Sequence, residues 1–325
     1  MKTKRVGVLM GGLGAEREVS LRSGEAVCNT LHERGYDVRK IFVDRDIDRV
    51  LRQTAIDVAF LALHGPYGED GCIQGMLEML DIPYTGSGVL ASALAMDKVK
   101  AKELFRLHNV PTPPYYEMTA DRIEDLEDIH GSFGFPVFVK PRRLGSSIGA
   151  GRANDPSELF QRAEESARFD RCILVERFVA GREVAVGLLD ATALGAIEIA
   201  PKSGIYDYRS KYLEGQTDYH LPARLSPTHY QCVLNIAERA ACALDSRGAT
   251  RVDMLVTEGE NEYVLEVNTL PGLTPTSLLP KIARGSGLGF GDLCEQILTR
   301  ALHVPCAVPA GVETPQQVPA FAPDA

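Results

Sequence analysis

The stretch RVDMLVTEGENEYVLEVNTLPGLTP, residues 251–275, decides the fold. Two apolar runs flank a polar segment, residues 258–261, that reads as a hairpin turn. If residue 257 faces residue 262, Asp253 falls opposite Glu266 and Arg251 opposite Asn268. Strand side chains alternate between faces. Arg251, Asp253, Glu266 and Asn268 then share one face. Val252, Met254, Val256, Tyr263, Leu265 and Val267 share the other, which needs a core. Two carboxylates directly across from each other repel unless a cation lies between them. Carboxylate and amide oxygens suit a hard cation such as Mg2+, which usually comes with substrate phosphates. A generic hairpin with such a face is more often a solvated surface. LPGLTPTS, residues 270–277, reverses that reading, because a Gly-containing turn beside carboxylates can present backbone N–H groups to an anion.

Working outward, 325 residues are enough for two or three domains. A hydrophobic fraction of 45% and a charged fraction of 24% describe ordinary globular composition. The apolar runs are too short for a membrane span, and the N-terminal MKTKRVGVLMGG reads as a first strand, not a signal peptide. A net charge of −9 argues against a general nucleic-acid or membrane-surface binder. The seven cysteines are scattered with no C-x-x-C pair, which suggests neither a disulfide framework nor zinc. Most read as small core residues of a reducing compartment.

Strands over 5–10, 36–42 and 57–63, with a helix over 18–34, predict a parallel sheet in a first unit, residues 1–95. Ligands of such sheets gather at the carboxyl ends of the strands. Two Gly-bearing loops lie there, GGLGAEREVS (11–20) and HGPYGEDG (64–71). Taken alone, His64 is more often structural than catalytic, and Glu69 and Asp70 can simply cap the next helix. A second unit, residues 96–180, opens with the amphipathic MDKVKAKELFRLHNV and a Pro-rich connection. Within FPVFVKPRRLGSSIGAGRA (135–153), a strand carries Lys140 near its end, before a loop of small residues and another strand. Such a loop can fold over phosphates, and Lys140 can supply a point charge, though a plain hairpin with a surface lysine reads the same way. CILVERF (172–178) is a strand ending in Glu176, either a nucleotide contact or an ordinary surface carboxylate.

The third unit, residues 181–303, holds strands over 184–189 and 197–200 and helices over 227–244, from about 276 (with Ser277 in its first turn) and over 290–302. It also holds a long polar segment with four tyrosines, residues 202–225, which reads as a lid. The last residues, 304–325, carry five prolines and read as a disordered tail.

The stretches GGLGAEREVS, HGPYGEDG, MDK, VKPRRLGSSIG, VERF with GRE, YDYRSKY, RVD and LEVNTLPGLTPTS occur in order. Together they resemble the D-alanine–D-alanine ligases, which are ATP-grasp enzymes, over roughly residues 4–303. The resemblance implies an α/β, three-unit ATP-grasp architecture with an N-terminal Rossmann-like parallel sheet. It implies a cytoplasmic enzyme, homodimeric through its first unit, that joins two D-alanines at the expense of ATP for peptidoglycan precursors. Two Mg2+ ions, with Mn2+ as a substitute, would be held by Asp253, Glu266 and Asn268. Lys98 and Lys140 resemble the phosphate lysines, and Glu176 and Glu183 the adenosine contacts. Ser146 and Ser147 belong to the closing loop, and Glu16 resembles the carboxylate for the first D-alanine's ammonium. Arg251 and the Gly272 N–H resemble an oxyanion hole, Ser277 the receiver of the second carboxylate, and His64 a neighbour of the first substrate. Lys211 would reach the transferred phosphate, and Tyr212 would join Glu16 and Ser146. The chain departs from the usual pattern at Gly14, where Ser is common, and at Arg142-Arg143-Leu144, where S-R-E is usual. The lid pattern Tyr206–Tyr212 favours an amine nucleophile over D-lactate. D-Serine as second substrate, another carboxylate–amine ligase and a non-catalytic nucleotide-binding module are the competing readings.

Overall fold

A computed structural model describes residues 2–202, 215–259 and 261–301. Lys211, Tyr212, half of the segment expected as a lid and the whole expected tail lie outside the described residues. Three sheets organise the rest. In the first, β1 (Arg5–Gly11) lies between β2 (Asp37–Val43) and β3 (Val58–Leu61), all parallel. The second is antiparallel, in the order β4-β7-β5-β6: β4 (Tyr115–Thr119), β5 (Val137–Pro141), β6 (Gly151–Ala153) and β7 (Cys172–Arg177). The third is antiparallel, in the order β10-β9-β8-β11-β12: β8 (Arg182–Leu189), β9 (Thr192–Pro201), β10 (Thr217–His220), β11 (Ala249–Val256) and β12 (Glu262–Asn268).

The third sheet is covered on both faces, which explains its unbroken apolar runs. Val184, Val186 and Leu188 pack under helix Pro227–Ala243, while Ala185, Ile197 and Ile199 meet helix Leu278–Gly285. Helix Lys98–Leu107 starts where the Asp97 carboxylate accepts the Lys100 N–H at 3.1 Å, an N-cap. Its buried face carries Val99, Ala101 and Phe105, but also Lys98 and Lys102. The closing helix Phe290–Ala301 packs against helix Arg17–Glu33 beneath the first sheet, so the two ends of the chain share a core.

The hairpin reaches the anticipated pairing by a different route. The turn closes one residue tighter, with the Thr257 N–H donating to the Asn261 carbonyl, so Val256 pairs with Glu262 and Met254 with Val264. A bulge then inserts Leu265 and restores Asp253 opposite Glu266 and Arg251 opposite Asn268. Two one-residue errors cancel at the carboxylates but not before them. Val264 is the buried residue, whereas Tyr263 and Leu265, expected in the core, are only half-buried, and Leu265 lines a cavity.

Other expectations also shift. Part of the Pro-rich connection is β4, because Tyr116 and Met118 pack inward on the second sheet. Part of the expected lid is β10, paired with β9. Ser277 stands at the N-cap position of its helix, with no side-chain capping bond, instead of lying inside its first turn. Of the six described cysteines, all free, only Cys28 and Cys294 are buried. No described helix is long and apolar enough to cross a membrane.

Candidate active site

Two cavities meet at Glu266. The first, about 380 Å³, lies between the second and third sheets and is lined by Lys98, Lys140, Ser147, Glu176, Glu183, Asp253, Leu255, Leu265 and Glu266. The second, about 370 Å³, lies against the first sheet's loops and is lined by Glu16, His64, Ser146, Arg251, Glu266, Asn268, Gly272 and Ser277. Every described residue given a metal, nucleotide, substrate or catalytic role from sequence therefore lines one cavity or the other. Adjacent serines divide between them, Ser147 to the first and Ser146 to the second.

The strands β5 and β7 run antiparallel and bring Lys140 and Glu176 together at the cavity wall. Glu176 is 2% exposed. Its Oε2 lies 2.6 Å from Lys140 Nζ and its Oε1 2.5 Å from Lys102 Nζ. Burial pushes its carboxyl up, but the Lys102 and Lys140 ammoniums outweigh that and hold it below the usual carboxylate range. Glu176 is therefore no surface residue. It is a fixed anion, and Leu255, Leu265 and Ile199 give the same cavity apolar walls.

At the junction, the Arg251 guanidinium forks onto Asp253, with both N–O distances 2.7 Å. Lys98 Nζ lies 3.3 Å from Glu266 Oε2 and donates to the Leu144 carbonyl at 2.9 Å. The repulsion between the paired carboxylates is thus met by one side-chain cation on each. Asn268 Oδ1 accepts the Leu270 N–H at 3.0 Å and keeps a second lone pair. Two in-register carboxylates and an amide oxygen on one wall are a hard-oxygen set that fits Mg2+. Among the described residues no three His, Cys, Asp or Glu groups form a metal cluster, so any such ion would need further oxygens from its ligand.

The small-residue loop is held at its start, just after β5. Arg142 pairs with Asp97 at 2.7 Å and Glu117 at 2.8 Å, and the Arg143 N–H donates to Asp170 at 3.0 Å. Ser146 and Ser147 both take left-handed backbone conformations, φ 53° and 57°, which side chains other than glycine's, Asn's and Asp's seldom adopt. That conformation turns Ser146 Oγ onto Glu16 Oε1 as a short donor. Backbone strain of this kind gathers at ligand clamps.

In the second cavity, His64 Nε2 lies 3.4 Å from Ser23 Oγ, which accepts the Leu273 N–H at 3.3 Å. The turn after β12 closes on Ser277, whose Oγ accepts the Thr274 N–H at 3.1 Å. At Gly272 a Cβ would fall 2.8 Å from Ser277 Oγ, so any larger residue there would displace that hydroxyl. Sequence reasoning missed Lys102, Ser23 and the apolar walls Leu255 and Leu265. For Lys102 a signal existed, because it stands four residues after Lys98 and so on the same helix face.

Comparison with known proteins fits this geometry. The family model described as D-ala D-ala ligase C-terminus matches residues 104–299, and that described as D-ala D-ala ligase N-terminus matches residues 47–87. The chain is 54% identical to the D-alanine–D-alanine ligase of Geotalea uraniireducens, over 93% of this chain and 96% of that one. It is 51% identical to the enzyme of that name from Geobacter sulfurreducens, over 93% and 95%. Among solved structures, the D-alanine–D-alanine ligase of Bacillus anthracis superimposes with TM-score 0.81 at 35% identity, covering 92% of this chain and 97% of that one. Its complex with ATP gives 0.79 at 34% identity, with the same coverage. The VanG D-Ala:D-Ser ligase of Enterococcus faecalis gives 0.81 at 28% identity, covering 92% and 99%. Anticipated motifs, an ATP-grasp architecture and relatives matched along nearly their full length agree: the chain belongs to the D-alanine–D-alanine ligase family.

Proposed function

We infer that the chain is an ATP-dependent ligase that joins two D-alanines into D-alanyl-D-alanine, releasing ADP and phosphate. One observation carries the reading: a partly apolar cavity with a fixed carboxylate shares Glu266 as a lining residue with a second, more polar cavity that Ser277 also lines. A nucleotide in the first would thereby direct its terminal phosphate at an amino acid in the second.

The division of labour follows from the side chains. Glu176 accepts from the base and Glu183 from the ribose, while Lys98 and Lys140 bind phosphates. Asp253, Glu266 and Asn268 would hold Mg2+, or Mn2+, which supplies charge neutralisation on the transferring phosphoryl group. Glu16 binds the first D-alanine's ammonium beside His64, so that its carboxylate can take the phosphoryl group. The second D-alanine, held through its carboxylate by Ser277, attacks the acylphosphate with its amine. Arg251 and the Gly272 N–H receive the oxyanion that forms, and phosphate leaves. Ser146 closes the site against Glu16; of the residues outside the described ones, Tyr212 would join that pair and Lys211 would reach the transferred phosphate. In this reading the units are 1–95, 96–180 and 181–303, the enzyme works in the cytoplasm where ATP is made, and it pairs as a homodimer through the first unit.

Phosphate release with D-alanine, ATP and Mg2+, followed by mass identification of the product, tests the assignment. D-Alanyl-D-alanine is expected. A product containing D-serine or D-lactate in preference, when those compete with D-alanine near neutral pH, overturns the choice of second substrate. Silence with D-alanine overturns the ligase reading itself.

A further inference from the structure

Lys102 has no part in the chemistry above, yet it is wholly buried, at 0% exposure. Its ammonium sits behind Glu176, which lines the first cavity, and does not line the cavity itself. On one side is Glu176 Oε1 at 2.5 Å, an ion pair. On the other it donates to Thr112 Oγ1. An ammonium can only donate, so the Thr112 proton must go elsewhere, and it goes to the Val264 carbonyl at 2.9 Å. Val264 is tied again through its own N–H, to the Pro111 carbonyl at 2.8 Å. Next after Val264 comes the bulged Leu265, followed by Glu266. One buried cation thus touches the base-side carboxylate and, through one hydroxyl, the bulge that turns two residues into the cavity.

Charge balance indicates what it is for. Glu176 already has Lys140 on its other oxygen, so the cluster holds two ammoniums for one carboxylate. Neutrality alone would not call for the second, and burying a surplus charge is costly. Burial lowers the Lys102 pKa to about 8, with Glu176 resisting that shift and Lys140 and Lys98 adding to it. The two lysines differ in reach, because Lys140 lines the cavity and Lys102 does not. A nucleotide phosphate or ring nitrogen can draw Lys140 away, but Lys102 stays. Without any cation, a carboxyl buried this deeply would protonate and turn an O–H donor toward the cavity.

We propose that Lys102 is a positioning residue for nucleotide recognition. It is a resident counter-ion that keeps Glu176 an acceptor for an adenine-type amino group while Lys140 turns to the nucleotide, and through Thr112 it holds the bulge that presents Leu265 and Glu266. The proposal rests on the ATP-dependent reading above.

Calorimetric titration of the full chain with ATP and Mg2+ tests it, with GTP as the comparison nucleotide. Lys102→Met is expected to weaken ATP binding about tenfold or more, to narrow the preference for ATP over GTP, and to leave the KM for D-alanine unchanged. In a Glu176→Gln background the same substitution should cost less affinity than in wild type, because the part of its effect that runs through Glu176 is already lost and only the part through Thr112 remains. ATP binding at wild-type strength in folded Lys102→Met overturns the proposal, as does a loss undiminished in the Glu176→Gln background. If Lys102→Met fails to fold, Thr112→Val carries the test: weaker ATP binding supports the tie to Val264, and unchanged binding breaks it. Wild-type protein that binds ATP but does not turn over D-alanine defeats the ligase reading alone, leaving the affinity comparison to decide on Lys102. Wild-type protein that does not bind ATP defeats both.

Discussion

Glu176 and the Asp253–Glu266 pair both line the first cavity, and both are matched by cationic side chains, but they are built differently. Glu176 is enclosed, with an ammonium on each oxygen. Glu266 is reachable from both cavities, and its lysine stands at 3.3 Å, shared with a backbone carbonyl. The contrast matches the expected partners. A carboxylate that must accept from a neutral amine works best as a rigid, ionised acceptor. Carboxylates that must take up a divalent cation need partners that can turn aside.

That contrast breaks most visibly at the junction. Asp253→Asn is expected to lower kcat about 10²–10³-fold with an unchanged circular dichroism spectrum. Near-normal turnover would move the metal seat away from the hairpin. At the enclosed site, by contrast, stability should suffer. Glu176→Gln leaves two ammoniums without their anion and is expected to cost roughly 3–5 kcal/mol in denaturant unfolding. The folded pKa of Glu176 is held below 4.5, the ordinary value of a glutamate in water. Glu176 contributes fully above pH 4.5, and its contribution is lost as pH falls through the folded value. Acidification should therefore close the stability gap between wild type and Glu176→Gln, and a gap constant with pH would show that the charge does not matter there.

Smaller effects sharpen the division between the cavities. Gly272→Ala puts a Cβ against Ser277 Oγ, so the KM for the second D-alanine should rise about tenfold, or ~1.4 kcal/mol, with ATP binding intact. Impaired ATP binding would show that the two cavities are not separable. Smallest is Arg142→Ala, which frees the small-residue loop from Asp97 and Glu117. It should cost no more than about 1 kcal/mol of stability and raise the KM for ATP severalfold, and an unchanged KM would mean that Asp170 anchors the loop alone.

Much of this site was legible because its residues sit in local patterns. Asp253 and Glu266 follow from alternation around one turn, and Lys140 and Glu176 from strand ends. Roles such as those of Glu16 and Ser277 came from the resemblance, since isolated polar residues in loops carry no period. Lys102 was hidden because what makes it special is its partners, Glu176 and Thr112, which folding brings from other elements. The bulge was hidden for the same reason: Val264 is tied to Pro111 and Thr112, and neither belongs to the hairpin. The strand β10 was missed because TDYH is polar and short, and only its pairing with β9 makes it a strand.

The anchored bulge also insulates the hairpin's tip from its business end. Beyond Val264 the two strands run on to a turn with its own closing bonds between Thr257 and Asn261. Length changes at that tip are absorbed before they reach Glu266, because the register is reset at Leu265. The tip is therefore where a peptide label or a linker to another protein can be grafted with the carboxylate pair left in step.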